Sequence, residues 1–265
     1  MKPAPFRYVP AETVEEALAA LAEHGGEAKV LAGGQSLLPA LNMRVVRPAA
    51  LVDVNRIFGL GDVARDDGSF RVGALVRQAD RRLYGHPLLA EALPCVGHVV
   101  TRNRGTVAGS IAHADPAAEL PLCLTLLEGS VVARSAESER EIPAGDFFVA
   151  PYATRLEPGE LVVETRWPAP RTGWGYALCE LAQRHGDYAL CMAGAAAGEG
   201  ELRVAVGSVT ARPTLLDVDP ERPGESAASQ VEPWANVHAS AEYLRHLVRV
   251  LVDRAAALAR ERASA

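Results

Sequence analysis

Two glycine-rich segments carry the residue types best suited to binding an anion. They are Ala32-Gly33-Gly34-Gln35-Ser36 and Thr106-Val107-Ala108-Gly109-Ser110, and they lie far apart in the chain. Glycine lets backbone N–H groups approach an anion closely, and the neighbouring Ser and Thr hydroxyls can donate further hydrogen bonds. Together the two segments are suited to the two phosphates of a dinucleotide.

Either segment alone has a simpler explanation. Turns between strands and helices need glycine for their backbone angles about as often as for ligand approach. Two such segments, each with a hydroxyl residue close behind its glycine, favour a phosphate ligand. Neither has the G-x-G-x-x-G pattern of a Rossmann site or the G-x-x-x-x-G-K-[ST] pattern of a P-loop. The sequence therefore predicts a phosphate site of another kind.

The elements that must position the first segment follow from hydrophobic patterns. A capping box at residues 13–16 predicts a helix that ends at Gly25-Gly26. Residues 29–32 predict a short buried strand that leads into the first segment, and residues 51–54 predict another strand. This order predicts a β-α-β arrangement with the first segment at its centre.

The rest of the chain alternates between strand-like and helix-like patterns. Residues 63–72 predict a hairpin through Asp66-Asp67-Gly68. Helices are expected at residues 88–100, 117–127 and 241–262. Strands are expected at 129–142, 161–167, 176–181, 189–197 and 202–210, with a linker at 168–175 and a surface connection at 217–236.

Composition limits the class of protein. The 265 residues carry a formal net charge of −6, and the arginines are scattered among acids, which argues against nucleic acid or an anionic membrane as a partner. No apolar run approaches the roughly 20 residues that span a bilayer, and no signal-like segment is visible, so a cytoplasmic protein is expected. The four dispersed cysteines predict buried thiols, and we assign no metal site.

Longer motifs surround both segments. They are Leu31-Ala-Gly-Gly-Gln-Ser-Leu-Leu-Pro39 continuing to Arg44, Thr101-Arg-Asn-Arg-Gly-Thr-Val-Ala-Gly-Ser110, and Ala112-His-Ala-Asp-Pro-Ala-Ala-Glu-Leu-Pro121, followed by Pro158-Gly-Glu-Leu161 and Arg184-His-Gly-Asp-Tyr188. This set resembles the FAD-binding medium subunit of molybdenum hydroxylases, a family that includes flavoprotein subunits of carbon monoxide dehydrogenase and bacterial xanthine dehydrogenases. The resemblance covers most of the chain and fades after about Leu216.

The resemblance implies an α+β protein with an FAD-binding fold of the vanillyl-alcohol-oxidase (PCMH) type. Two FAD-binding subdomains, expected at residues 1–58 and 59–170, would hold the cofactor between them. Residues 171–265 would form a C-terminal domain of antiparallel strands and helices. Non-covalent FAD is expected, because relatives of this fold that attach flavin covalently use histidine, whereas position 35 is Gln.

The resemblance also implies which residues contact FAD. The first segment would wrap the diphosphate, and the second would close its other side; the residues are Leu31, Ala32, Gly33, Gly34, Gln35, Ser36 and Leu37, then Thr106, Val107, Ala108, Gly109 and Ser110. Asp115 and Glu119 would lie at the adenosine end, where a carboxylate accepts hydrogen bonds from ribose hydroxyls, with Glu119 favoured. The family often has Gly-Gly-Asn where this chain has Ala108-Gly109-Ser110, but Ser110 still donates a hydrogen bond.

Several further residues keep two interpretations. Leu161 and Tyr188 match positions near the flavin ring, where a Tyr can cover the ring and control access to it; a core tyrosine is the other interpretation of Tyr188. His113 beside an Asp-Pro turn is expected to be structural, and we assign no catalytic residue. The run Arg102-Asn103-Arg104 could neutralise the diphosphate or form salt bridges within the fold.

By resemblance, the chain is the FAD-dependent oxidoreductase subunit through which electrons leave a larger enzyme. A large molybdopterin-binding subunit would oxidise the substrate, and a small subunit would relay electrons through two [2Fe–2S] clusters to FAD. The external acceptor stays open among NAD⁺, oxygen and a quinone or carrier. Two alternatives are a self-contained flavin oxidase or dehydrogenase of the same fold, and a scaffold without FAD, against which the intact glycines argue.

Overall fold

A computed structural model describes residues 2–66 and 68–264 of the chain. The strands are β1 (Arg7–Pro10), β2 (Ala28–Leu31), β3 (Ala50–Asp53), β4 (Val63–Asp66), β5 (Ser69–Gly73), β6 (Ser130–Arg134), β7 (Glu139–Pro143), β8 (Phe148–Ala150), β9 (Ala153–Thr154), β10 (Leu161–Pro168), β11 (Gly175–Ala182), β12 (Ala189–Gly198), β13 (Glu201–Gly207) and β14 (Thr214–Leu216). The helices are α1 (Val14–His24), α2 (Leu37–Asn42), α3 (Pro87–Ala92), α4 (Val99–Arg102), α5 (Val107–His113), α6 (Glu119–Leu126), α7 (Ala144–Phe147), α8 (Pro223–Gln230) and α9 (Ala241–Ala263).

The first sheet has three parallel strands in the order β1-β3-β2. Helix α1 follows β1, and its N-cap residue Thr13 accepts a hydrogen bond from the Glu16 N–H, as the capping box predicts. The predicted β-α-β arrangement is confirmed, because β2 and β3 pair in parallel on either side of the first segment and α2. Strand β1 has no sequence signal, since it is four residues long and mostly exposed.

The second sheet is antiparallel, with strand order β4-β5-β10-β6-β7. The predicted β4–β5 hairpin is confirmed by its pairing, although Asp67 in the predicted turn lies outside the described residues. Helix α5 packs on β5 and β10 of this sheet, whereas α6 packs on α5 and on β12, β13 and β14, and all eight residues of α6 are buried. The α6 segment is therefore the middle layer of the molecule.

The third sheet has the antiparallel order β11-β12-β13-β14. Both of its faces are buried, because alternate residues of β12 enter different cores: Met192 and Ala196 join the core that includes α6, whereas Ala193 and Ala195 join the core beneath α9. The small residues of β12 allow both layers to approach closely. Within the described part of the chain, no helix combines the length and apolar character needed to cross a membrane.

Three predicted elements are wrong in detail. The strand expected at residues 129–142 is two antiparallel strands, β6 and β7. The single helix expected at residues 88–100 is two helices, α3 and α4, because Pro94 lacks an N–H donor and Gly97 adopts a φ of 49°. The surface connection expected at residues 217–236 contains α8. The N–H of Gly224 in α8 donates to the Asp253 carboxylate of α9 at 2.8 Å, and Ala227 is fully buried, so this segment packs on the C-terminal helix.

Candidate functional site

The first segment, taken with its flanking residues Leu31 and Leu37, starts at the carboxyl edge of the parallel sheet, where β2 ends. The six consecutive backbone N–H groups from Ala32 to Leu37 donate to no other group among the described residues. Ser36 precedes α2 and does not use its hydroxyl to cap the helix. A run of free N–H groups at the carboxyl end of parallel strands suits an anionic ligand.

The two glycines of the first segment serve different purposes. Gly34 has a φ of 72°, which is the left-handed conformation that favours glycine. A Cβ added to Gly33 would lie 2.5 Å from the carbonyl oxygen of Arg104 and 2.7 Å from the Cα of Gly105. Gly33 therefore allows the first segment to contact the backbone directly before the second segment (residues 106–110).

The second segment is the first turn of a helix rather than a loop. Thr106 is the N-cap of α5, and its buried Oγ1 accepts the N–H of Gly109 at 3.0 Å. The N–H of Val107 donates to the carbonyl of Val76. The N–H of Ala108 donates to no group in the described part of the chain, and it is therefore the donor that this turn leaves for a ligand.

Asp115 follows α5 and is 6% exposed. Its Oδ1 accepts the N–H of Ala117 at 2.9 Å, and its Oδ2 accepts the hydroxyl of Tyr152 at 3.3 Å. The Tyr152 ring also packs on His113, with ring centroids 5.2 Å apart, and burial lowers the pKa of His113. The sequence-based interpretation of His113 as a packing residue agrees with this contact.

Glu119 begins α6 and is 5% exposed. Burial raises the pKa of its carboxyl group to about 8, and the nearby Glu180 and Asp115 carboxylates add to this effect, whereas Arg102 opposes it. At neutral pH the side chain is largely protonated and can both donate and accept a hydrogen bond.

Tyr188 belongs to the C-terminal part of the chain, and its hydroxyl lies near Ser36 of the first segment. Its side chain is 59% exposed, but desolvation of the hydroxyl raises its pKa to about 12, and Asp115 and Tyr152 add to this while Ser36 lowers it by hydrogen bonding. The hydroxyl thus lies near Ser36 of the first segment and near Asp115, which follows α5. This position does not fit a core tyrosine.

Leu161 is placed differently from the other predicted site residues. It is the first residue of β10, it is 3% exposed, and its side chain belongs to the core. Pairing of β10 with β5 begins only at Glu164. Leu161 does pair with Arg134 of β6, so a ligand could reach it only through the backbone on its β5 side, and not through its buried side chain.

The arginines of the Arg102-Asn103-Arg104 run differ in their use. One terminal nitrogen of Arg102 donates to the carbonyls of Val96 and Gly97 at 3.0 and 2.9 Å, so Arg102 stabilises the turn between α3 and α4. Arg104 is exposed, and its charge lowers the pKa of Arg77 together with the larger effect of burial.

Sequence reasoning missed two residues that bridge the segments. Asn55 donates from Nδ2 to the carbonyls of Leu31 and Ala32 at 3.2 and 2.8 Å. Arg77 donates to Asn55 Oδ1 at 2.7 Å and to the Arg104 carbonyl at 2.5 Å. A polar residue just beyond the carboxyl end of β3 is a signal that could have identified Asn55; nothing in the sequence distinguishes Arg77 from the other arginines.

Comparisons with known proteins agree on one family. Residues 4–170 match the family model described as the FAD binding domain in molybdopterin dehydrogenase. The alpha subunit of the 6-hydroxypseudooxynicotine dehydrogenase complex of Paenarthrobacter nicotinovorans is 39% identical over an alignment 289 residues long, gaps included. The alignment covers 99% of this chain and 97% of that protein. The carbon monoxide dehydrogenase medium chain of Hydrogenophaga pseudoflava is 38% identical over 197 residues, which cover 71% of this chain and 68% of that protein.

Solved structures give the same result. Carbon monoxide dehydrogenase from Hydrogenophaga pseudoflava, in a form that lacks the Mo-pyranopterin moiety, matches with a TM-score of 0.93 at 30% identity over 99% of both chains. Quinoline 2-oxidoreductase from Pseudomonas putida 86 matches with a TM-score of 0.92 at 32% identity over the whole of both chains.

These matches confirm the predicted α+β, PCMH-type fold and the predicted cofactor, FAD. The free N–H groups of the first segment and of Ala108 fit the diphosphate of that cofactor. Relatives that match along most of the chain are dehydrogenase subunits, which confirms the oxidoreductase assignment. The chain belongs to the family of FAD-binding subunits of molybdenum hydroxylases.

Proposed function

We propose that this chain is the electron-exit subunit of a molybdenum hydroxylase. It would receive electrons from the [2Fe–2S] clusters of a small partner subunit and pass them to an external acceptor, while a large molybdopterin-binding subunit oxidises the substrate. FAD, when bound, supplies the redox chemistry, because a flavin can take up electrons singly and release them in pairs. The observation that carries FAD binding is the run of free N–H groups at residues 32–37, beside the Arg104 and Gly105 backbone that Gly33 contacts. The subunit role is supported by the relatives, which are subunits of dehydrogenase complexes.

The chain's own residues would bind and orient the cofactor. The N–H groups of residues 32–37 and of Ala108, with the hydroxyls of Ser36 and Ser110, would hold the diphosphate. Gly33, Gly34, Thr106 and Gly109 would shape the backbone around it. We assign no covalent bond to FAD, since the Gln35 amide donates to the Gly33 carbonyl at 3.2 Å and offers no nucleophile.

The ends of the cofactor would meet different elements. Asp115 and the protonated Glu119 would bind ribose hydroxyls at the adenosine end. At the flavin end, the Leu161 backbone would contact the ring, and Tyr188 would cover it and limit access of water and acceptor. The Tyr188 hydroxyl lies near Ser36 and Asp115, so its contact with the flavin ring is a prediction from the resemblance.

The names of the relatives support a role separate from substrate choice. Proteins 38–39% identical to this chain belong to 6-hydroxypseudooxynicotine, caffeine and carbon monoxide dehydrogenases. Such different substrates fit a subunit that contacts the cofactor and not the substrate.

We also keep the domain boundaries proposed from the sequence, at 58/59 and 170/171. The three sheets support them, because β1 to β3 end at Asp53, the second sheet runs from Val63 to Pro168, and the third starts at Gly175. A cytoplasmic location stays a prediction.

The function can be tested with the isolated chain and its partners. The purified chain should carry the visible spectrum of a flavin, and denaturation should release FAD. Anaerobic addition of the reduced [2Fe–2S] partner subunit should bleach the flavin band, and a supplied acceptor should restore it.

Other outcomes would contradict the proposal in distinct ways. Flavin that oxidises a small molecule without partner subunits would identify a self-contained oxidase. Flavin that the reduced cluster protein does not bleach would exclude the electron-exit role. A colourless chain that cannot be reconstituted with FAD would identify a scaffold.

A further inference from the structure

Two side chains, hydrogen-bonded to each other, bind the carbonyl side of the first segment. Asn55, the second residue after β3, binds the carbonyls of this segment, and Arg77, after β5, binds Asn55. We propose that Asn55 and Arg77 are positioning residues for FAD: they act as one unit that turns the N–H groups of the first segment toward the diphosphate. Neither residue contacts the cofactor in this proposal.

The geometry of the peptide bond gives Asn55 its effect. In a trans peptide the C=O and the following N–H point in opposite directions. Asn55 Nδ2 draws the Leu31 and Ala32 carbonyls to one side, so the N–H groups of Ala32 and Gly33 point to the other. Both of those N–H groups donate to nothing within residues 2–66 and 68–264.

Asn55 is itself held in one orientation. Its N–H and Nδ2 donate to Asp53 Oδ1 at 2.9 and 2.6 Å, and Asp53 Oδ2 accepts the Tyr8 hydroxyl at 2.6 Å. Its Oδ1 faces the guanidinium of Arg77. The amide therefore has donors on the segment side and its acceptor on the arginine side, and a carboxylate at position 55 would satisfy only the second.

Arg77 joins Asn55 to the backbone just before the second segment. Nη2 binds Asn55 Oδ1, while Nη1 binds the carbonyl of Arg104, the same oxygen that lies against Gly33. The planar guanidinium spans two acceptors at a fixed separation, which a lysine ammonium does not reproduce. Both terminal nitrogens bind protein acceptors, so we assign Arg77 a role that acts through Asn55 and the Arg104 backbone.

The test is FAD affinity of the apoprotein, measured by fluorescence titration of the full chain, together with thermal unfolding of the apoprotein. Asn55→Asp keeps the size and the acceptor for Arg77 but removes the donors to the first segment. Arg77→Lys keeps the charge but removes the planar guanidinium that binds two acceptors at once. Each should weaken FAD binding roughly tenfold to hundredfold, the effect expected when a hydrogen bond in a charged network is lost.

A double-variant comparison separates one unit from two independent effects. The combined variant Asn55→Ala with Arg77→Gln should bind FAD about as weakly as Asn55→Ala or Arg77→Gln alone, because removal of one partner already releases the segment. Additive losses would overturn the proposal, because they would mean that the two residues act independently. Full affinity in Arg77→Lys would also overturn it, because it would mean that Arg77 acts by charge alone.

Matched controls distinguish positioning from general stability. Asn236 accepts two backbone N–H groups in the C-terminal region, and Arg140 binds Glu160 and a backbone carbonyl. Asn236→Asp and Arg140→Lys should lower the melting temperature without changing FAD affinity. FAD affinity unchanged in Asn55→Asp would overturn the positioning role.

This inference rests on FAD binding and not on the electron-exit role. FAD titration of the wild-type chain tests the first, and bleaching of the flavin by the reduced cluster protein tests the second.

Discussion

Gly33 and the carbonyl of Arg104 are in direct contact, so closely that a Cβ at position 33 would lie 2.5 Å from the oxygen. This contact joins two regions that are distant in sequence and that supply the donors for the FAD diphosphate. The obstructing atoms are backbone, which cannot move aside as a flexible side chain can. Gly33 is therefore required for the approach of the two regions as well as for the turn.

Gly33→Ala should weaken FAD binding by about tenfold or more, since overpacking against backbone costs about 1–3 kcal/mol. Fluorescence titration of the apoprotein measures the change. Gly26→Ala is the control, because a Cβ there has no heavy atom within 4 Å and Gly26 has no positive φ. Equal FAD affinities in Gly33→Ala and Gly26→Ala would contradict this prediction, because they would show that FAD binding does not depend on close approach of the two segments.

Thr106→Val should lower the free energy of unfolding by about 1 kcal/mol, because the N–H of Gly109 loses its cap, and it should also weaken FAD binding. Thr13→Val removes an equivalent cap from α1, where Thr13 accepts the Glu16 N–H at 3.1 Å. Denaturant unfolding should show similar losses for both variants, whereas FAD titration should respond only to Thr106→Val. An FAD affinity lowered equally by Thr13→Val would contradict a local role for the α5 turn.

Tyr188→Ala should make bound flavin more accessible, measured as increased quenching of flavin fluorescence by iodide. The side chain is 59% exposed, so the free energy of unfolding should change by no more than about 0.5 kcal/mol. Tyr243→Ala, at a 46% exposed position on α9, should leave quenching unchanged. Identical quenching in the two variants would place Tyr188 away from the ring.

Glu119 should make the protein less stable as pH rises through neutrality. Its pKa is about 8 in the folded chain against an ordinary value of 4.5, so between these values the folded state holds a proton that the unfolded state has released. Stability is then highest below the lower value and is lost progressively up to the higher one. Glu119→Gln should flatten this slope in melting temperatures measured from about pH 5 to about pH 8.

The exposed residue Glu27 provides the control for this experiment. Glu27→Gln should leave the pH slope of the wild type in place. If Glu119→Gln retains the full slope, another group, such as the nearby Glu180, whose pKa burial also raises, accounts for the dependence.

The sequence by itself determined the features that depend on neighbours along the chain. The Thr13 cap, the β-α-β arrangement and the β4–β5 hairpin follow from local patterns, because helix caps and tight turns are formed by residues a few positions apart. The long motifs around Gly33 and Gly109 also identified the family and FAD. Local patterns predicted one helix across the helix-breaking residues Pro94 and Gly97, where the structure has two. They also predicted a surface connection where the structure has α8, because the residues of α8 are mostly small or polar.

The tertiary structure decided what the site residues do. Only the fold shows that Gly33 is needed against Arg104, that the second segment is a capped helical turn, and that Leu161 is in the core. Asn55 and Arg77 gain their role from partners on other elements, up to 27 positions away. Hydrogen bonds between such distant positions depend on how the sheets pack, and no spacing in the sequence encodes them.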